Sequence, residues 1–251
     1  MNVIEFFKEK IGRYDDTHNF TCDNCEREVF DGKRLCEECR QSLPFNNALV
    51  CPLCGRRVKE EGICLDCKQK PLAVEKARSV FLYEGDAARL VRAFKTGKRY
   101  LKRMFVEEFL PIVEKEFAEA DSVTFVPMTK RAERRRGYNQ SFLLAERLSK
   151  LTGKTLIDAV KKKRENADQR DLTRQEREEN MKNVFAVTEK EQVKGKKILI
   201  VDDTLTTGAT ASALSLVLKK AGATNVYLIT VASVEKKAPF GYKSEAEIPQ
   251  E

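Results

Sequence analysis

The sequence predicts an α/β protein, a parallel β-sheet flanked by helices and preceded by a small cysteine-rich module. Three observations carry this expectation. Residues 198–210 read ILIVDDTLTTGAT, an apolar run that ends in two carboxylates and a Thr/Gly turn. Residues 122–127 read SVTFVP and lead through a strongly basic segment into an amphipathic stretch. All eight cysteines fall between residues 22 and 67.

The first segment fixes the layout. Residues 196–201 form an apolar run of the kind buried on both faces of a parallel sheet. Residues 211–221 place apolar side chains at helical spacing and stop at Gly222. Between them, Thr206, Thr207, Gly208, Ala209 and Thr210 make a turn whose backbone N–H groups and hydroxyls suit an anion, helped by the helix N-terminus. Gly208 permits close approach or a positive φ. Asp202 and Asp203 cannot take phosphate directly. They suit ribose hydroxyls, or a divalent cation shared with a diphosphate. Strand, acids and donors together describe a place for a phosphorylated sugar.

The second segment repeats the layout. Residues 122–127 predict a buried strand. A basic loop follows with Lys130, Arg131, Arg134, Arg135, Arg136 and Gly137. An amphipathic helix then runs to about residue 151, burying Phe142, Leu143, Ala145, Leu148 and Leu151. Arginine forks match phosphate oxygens two at a time. In a sheet wound with helices on both faces, ligands sit beyond the carboxyl ends of the strands, so both loops face the same edge.

The cysteines form four CxxC pairs: Cys22/Cys25, Cys36/Cys39, Cys51/Cys54 and Cys64/Cys67. Paired CxxC units about ten residues apart fit tetrahedral four-cysteine zinc sites, and Gly32, Pro52 and Gly55 are the turn residues such knuckles use. Four pairs supply two metals, with sequential pairing, Cys22/Cys25/Cys36/Cys39 and Cys51/Cys54/Cys64/Cys67, as the expectation and a cross-braced pairing of the same ligands as the alternative. Every position on each metal would be protein, so the role is structural, and a segment with so few large apolar side chains needs the metal to fold. A redox CxxC would need a βα setting that these pairs lack. His18 is the only histidine and lies outside the pattern, so histidine acid–base catalysis has little support.

The net charge of +8 is concentrated. Residues 86–103 hold seven Lys/Arg against one acid, and residues 129–182 hold sixteen against nine, so the rest of the chain is net acidic. Such stretches point to polyanionic partners or to solvated helix faces. Phe81, Tyr83, Phe94, Tyr100 and Phe105 lie near the first stretch, several in core-like positions, so base stacking does not follow from them. Lys95 belongs to that stretch and is either functional or an ordinary surface lysine. The N-terminus carries acids and lacks an apolar signal core, and no apolar run approaches the ~20 residues of a membrane span, which leads to the expectation of a cytoplasmic protein. The layout anticipates a cysteine-rich module at 1–70, an α/β domain at 71–236 and a polar tail at 237–251.

Residues 198–210 resemble the phosphoribosyltransferase (PRPP-binding) motif. More narrowly, the chain resembles the ComF family, associated with DNA uptake in natural competence. The resemblance rests on CPLCG at 51–55, FLYEGDAARLVRAFKTGKR at 81–99, VPMTKRAERRRGYNQ at 126–140, QRDLTRQEREENMKNVF at 169–185 and VDDTLTTGAT at 201–210. It implies a type I phosphoribosyltransferase-like domain behind a double zinc ribbon. It further implies phosphoribosyl diphosphate at Asp202, Asp203, Thr204, Thr206, Thr207, Gly208, Ala209 and Thr210, with Met128, Thr129 and Lys130 in the diphosphate loop and Mg2+ accompanying the ligand. Lys95, Arg134, Arg135, Arg136, Asn139 and Gln140 would contact diphosphate or DNA. Residues 165–182 are expected to form a mobile hood or a charged surface helix.

Two functional classes follow from the resemblance. One is a protein that binds phosphoribosyl diphosphate and acts in DNA uptake, with single-stranded DNA or the uptake machinery as partner. The other is an active phosphoribosyltransferase that releases diphosphate on transfer to an acceptor. The sequence carries the ribose-phosphate half of that apparatus and no evident acceptor pocket.

Overall fold

The computed structural model describes residues 21–30, 33–163 and 184–235. The N-terminal residues with His18, Gly32, the whole of the expected hood at 165–182 and the polar tail lie outside them.

The head is one small unit built twice. Residues 21–43 contain a CxxC knuckle, an isolated bridge between Thr21 and Glu28, and α1 (Glu37–Ser42). Residues 50–69 contain a second knuckle, a bridge between Val50 and Arg57, and α2 (Leu65–Gln69). Several backbone bonds correspond. Cys22 N–H donates to Arg27 O at 2.7 Å as Cys51 N–H donates to Arg56 O at 2.8 Å. Arg40 N–H donates to Cys36 O at 2.9 Å as Lys68 N–H donates to Cys64 O at 3.0 Å. Glu26 and Gly55 occupy equivalent knuckle positions with φ of 64° and 67°.

The larger unit follows in the order β1 (Lys76–Leu82), α3 (Gly85–Lys95), α4 (Lys102–Glu116), β2 (Ser122–Phe125), α5 (Lys130–Arg136), α6 (Gln140–Thr152), β3 (Thr155–Leu156), β4 (Val160–Lys162), β5 (Phe185–Val187), β6 (Lys197–Leu205), α7 (Ala209–Lys220) and β7 (Asn225–Ser233). Five strands make a parallel sheet in the order β1-β7-β6-β2-β3. β4 and β5 pair separately and antiparallel. The two faces are buried by alternate residues. Leu199, Val201, Ile229 and Val231 pack with α3, α4 and α6, whereas Ile198, Ile200, Val226 and Leu228 pack with α7 and the β4–β5 pair.

The head is hydrogen-bonded to the outer side of β1. Asn46 N–H donates to Val80 O at 2.7 Å, Leu82 N–H to Pro44 O at 2.8 Å and Ala77 N–H to Leu53 O at 2.7 Å. Gly55 packs so closely on β1 that a Cβ there would stand 2.4 Å from Ala77 O.

Three expectations need correction. The basic loop is the short helix α5: its residues are good helix formers, Thr129 Oγ1 accepts from Ala132 N–H at 3.2 Å, and Gly137 closes it at φ 80°. Strand β6 does not stop at Val201 but continues through the acidic pair to Leu205, because β7 is equally long and pairs Asp202 with Thr230 and Thr204 with Ala232. Leu151, expected on the buried face of the amphipathic helix, is 47% exposed in the last turn of α6.

Candidate functional site

β2 and β6 run in parallel, so the turns that follow them emerge at one edge of the sheet. β6 delivers Asp202, Asp203 and Thr204 to that edge. α3 approaches from the side, and its last residue, Lys95, reaches them. Lys95 Nζ lies 2.9 Å from Asp203 Oδ1 and 3.3 Å from Thr204 Oγ1. Asp202 takes different partners. Its Oδ1 accepts from Ser141 Oγ at 2.8 Å and from the backbone N–H of Asp203 at 2.9 Å. The residue is half-buried. Burial pushes the Asp202 pKa up to about 7, and the charge of Asp203 adds to the rise; Ser141, the Asp203 N–H and Lys95 oppose it.

The turn after β6 is open. Thr206 and Thr207 are exposed, and Gly208 caps α7 with φ 80°. A Cβ on Gly208 would meet Leu72 Cδ2 at 2.3 Å, so glycine satisfies both the dihedral and the space. Thr207 Oγ1 accepts from Ala209 N–H at 3.3 Å. A polar pocket lies between turn and strands, lined by Asp202, Thr204, Thr206, Gly208, Thr210 and Thr230 among others. The Asp202 carboxyl at one side and hydroxyls with a helix N-terminus at the other suit a sugar hydroxyl face and a phosphate.

The basic helix is fastened to the same corner. Tyr138, between α5 and α6, donates its hydroxyl to Phe94 O and accepts from Gly97 N–H at 3.1 Å. Arg99 stacks over the Tyr138 ring at 4.4 Å and donates to Gly137 O at 3.1 Å. Gln140 Nε2 donates to Lys95 O at 3.5 Å, and Arg136 Nη1 donates to Gln140 Oε1 at 3.3 Å. Lys130, Arg131, Arg134, Arg135 and Arg136 lie on the surface, whereas Met128 and Thr129 are half-buried.

Asn139 and Gln140 are buried in the joint. Asn139 Oδ1 caps α6 by accepting from Ser141 N–H at 3.0 Å and Phe142 N–H at 3.3 Å, while its Nδ2 donates to Val126 O at 3.1 Å. All of this places Asn139 in the architecture of the corner. Phe81, Phe94 and Phe105 are fully buried, so they offer no stacking surface; Tyr100 is 40% exposed. Ser141, Tyr138 and Arg56 belong to the site's surroundings, and sequence reasoning does not single them out. Ser141 has no signal beyond its place next to the cap, and the other two act through backbone carbonyls.

The thiols resolve the pairing. Cys22, Cys25, Cys36 and Cys39 form one group and Cys51, Cys54, Cys64 and Cys67 the other, each with all four sulfurs within 4.8 Å. The arrangement is sequential rather than cross-braced. Edges of 3.8 Å (Cys25–Cys36) and 3.6 Å (Cys54–Cys64) match the ~3.8 Å edge of a tetrahedron with Zn–S bonds of about 2.3 Å. Backbone N–H groups of Cys36 and Cys64 point at Cys22 Sγ and Cys51 Sγ at 3.4 and 3.5 Å, which would stabilise thiolate ligands. Four sulfurs fill each metal, so these two zinc-ribbon sites are structural.

Among the described residues no helix is long and apolar enough to cross a membrane. Residues 19–68 match the double zinc ribbon domain family, and residues 139–249 match the phosphoribosyl transferase domain family. The chain is 30% identical over 200 residues to the DNA utilization protein YhgH of Escherichia coli (strain K12), covering 76% of this chain and 87% of that protein. It is 27% identical over 208 residues to competence protein ComFC of Bacillus subtilis (strain 168), covering 79% and 84%. It is 26% identical over 217 residues to competence protein F of Haemophilus influenzae (strain ATCC 51907 / DSM 11121 / KW20 / Rd), covering 81% and 93%. With two sequential four-cysteine ribbons fastened to a parallel sheet whose β6 edge carries the acidic pair and the Thr/Gly turn, the chain belongs to the ComF family.

Proposed function

We propose that the carboxyl edge of the sheet binds a ribose phosphate, with phosphoribosyl diphosphate as the ligand that uses every part of it, and that the protein acts in DNA uptake or utilisation. The observation that carries the reading is that Asp202, held by Ser141, lines one pocket with Thr206, Gly208 and Thr210 of the donor-rich turn, while Asp203 stands next to it on Lys95. Asp202 and Asp203 accept the ribose hydroxyls. The hydroxyls of Thr204, Thr206, Thr207 and Thr210 and the N–H groups through Gly208 and Ala209 take the 5′-phosphate. Met128, Thr129 and Lys130 border the diphosphate, where Mg2+ would supply charge neutralisation.

The surface arginines of α5 extend this positive edge, and single-stranded DNA is the polyanion that would use them. The role in DNA handling rests on the names of the relatives, competence and DNA utilization proteins.

The test is calorimetric titration of phosphoribosyl diphosphate with Mg2+ into wild type and an Asp202→Ala/Asp203→Ala double variant. The expected result is binding to wild type that the variant loses. Equal affinity in the two overturns the pocket assignment. Addition of purine, pyrimidine and amide acceptors to the same mixture decides between binder and phosphoribosyltransferase, because only the enzyme releases diphosphate.

A further inference from the structure

We infer that Arg56, a residue of the second zinc ribbon, is a positioning residue for the phosphate-binding turn, so that occupancy of this ribbon by metal and occupancy of the pocket by ligand are linked. The inference rests on the ribose-phosphate reading of the pocket and deepens it by naming what holds the turn.

Arg56 lies two residues after Cys54, and its carbonyl closes the knuckle by accepting from Cys51 N–H at 2.8 Å. Its place is therefore set by the metal loop. Its side chain is 9% exposed and leaves the ribbon, donating through Nη2 to the carbonyl of Thr206. Nη1 stands 3.8 Å from Asp66 Oδ2, and Asp66 sits between the ligands Cys64 and Cys67. One guanidinium thus spans both halves of the metal loop and the first residue of the turn.

The peptide bond gives this contact its consequence. In a trans peptide the C=O and the N–H point in opposite directions. Holding Thr206 O against the ribbon therefore turns the N–H of Thr207 away from it, as a fixed donor. Ligand sites gain affinity when their donors are ordered before binding. The guanidinium also brings a buried positive charge beside a turn that accepts an anion.

Other contacts place the ribbon's exit on the same turn. Leu72 packs against Gly208. Ala73 N–H donates to Ser212 Oγ at 3.2 Å, and Ser215 Oγ donates to Ala73 O at 2.7 Å, both on α7. The pairing with Asp66 leaves part of the buried Arg56 side chain unsatisfied within the ribbon. Its buried Nε has no hydrogen-bond partner, and burying such a donor costs free energy. The first ribbon carries Arg27 at the equivalent position, and there the side chain stays at the surface with Glu38. The link belongs to the second ribbon alone.

Linkage is reciprocal: a ligand that favours the ordered turn favours the metal-bound ribbon by the same factor. The experiment uses the full zinc-loaded chain and ribose 5-phosphate as probe. Calorimetry compares wild type with Arg56→Met and Arg56→Lys, with zinc content measured on each. In parallel, alkylation of the cysteines under a chelator is followed by peptide mass spectrometry, with and without the probe. The expected result is an affinity about tenfold weaker for Arg56→Met with both zinc ions retained, partly restored in Arg56→Lys. In wild type the probe slows alkylation of Cys64 and leaves Cys25 unaffected, and Arg56→Met abolishes this protection.

Equal affinity in a folded, zinc-loaded Arg56→Met overturns the inference. If that variant does not fold, the wild-type alkylation decides alone: equal effects on Cys64 and Cys25, or none, overturn it. No binding of the probe to wild type is a separate result, which removes the pocket reading and the link with it.

Discussion

The ammonium of Lys95 stands 2.9 Å from Asp203 Oδ1, joining the last residue of α3 to the acidic pair of β6. The positive charge of Lys95 also holds down the pKa of Asp202. Replacing Lys95 with Met should raise the Asp202 pKa above its value of about 7 and weaken ribose 5-phosphate binding about tenfold at pH 7, roughly 1.4 kcal/mol. Calorimetry from pH 6 to 9 checks this. A variant with the wild-type pH profile would show that Lys95 and the pair act independently.

With the ribose held as proposed, Asp202 should make stability and binding depend on pH in opposite directions. Its folded pKa, about 7, lies above the ordinary carboxylate value of 3.8. The proton is therefore held more tightly in the folded state, and the associated stability is full below the unfolded value and lost as the pH rises through about 7. Asp202→Asn should raise stability at pH 8 by on the order of 2 kcal/mol and leave it nearly unchanged near pH 4. Thermal melts at the two pH values test the sign. Ribose binding needs the ionised acceptor, so in wild type affinity should rise over the same interval.

Glu26 and Gly55 hold the same knuckle position with left-handed φ, and only Gly55 faces a neighbour that cannot move. Gly55→Ala drives a Cβ toward the backbone oxygen of Ala77 and should cost about 3 kcal/mol or more. Glu26→Gly relieves the left-handed strain and should be neutral or stabilising by up to about 1 kcal/mol. Denaturant melts with zinc content measured alongside would separate the two. Comparable destabilisation by both would mean that the packing on β1 contributes little.

The three arginines at the end of α5 are exposed, and Arg136 reaches Gln140 at 3.3 Å. Arg134→Ala/Arg135→Ala/Arg136→Ala should keep the fold and weaken single-stranded DNA binding. It should also lower the slope of log K against log salt by about 2, since each phosphate contact on a single strand contributes about 0.7. Fluorescence anisotropy over a salt series reads both. An unchanged slope with unchanged affinity would place DNA elsewhere.

What is legible in the sequence is what contiguous residues encode. The β6 run with its turn, the β2 run and the CxxC spacing each predict local geometry, and the structure has those elements with shifted ends. Helix α5 is hidden because its charged residues are helix formers without an apolar stripe, so periodicity gives no signal. The extension of β6 through Asp202 and Asp203 depends on β7, which no local pattern of β6 reveals. The sequential thiol grouping is the one expected, but spacing leaves the cross-braced alternative open because both use the same ligands; the sulfur positions decide it. Ser141 with Asp202, Lys95 with Asp203 and Arg56 with Thr206 are contacts across topology, and a single chain read in order contains no measure of them.

The bonds from residues 44–53 to β1 have a consequence for the molecule as a particle in solution. β1 is the last strand on its side of the sheet, and the zinc-bearing head satisfies the N–H groups of Ala77 and Leu82 and the carbonyl of Val80 on its outer side. A strand left bare there is a template for another chain. Cutting the head away near residue 70 would therefore leave these groups of β1 without their partners. The ribbons act as the guard that keeps one copy of the sheet from annealing to the next.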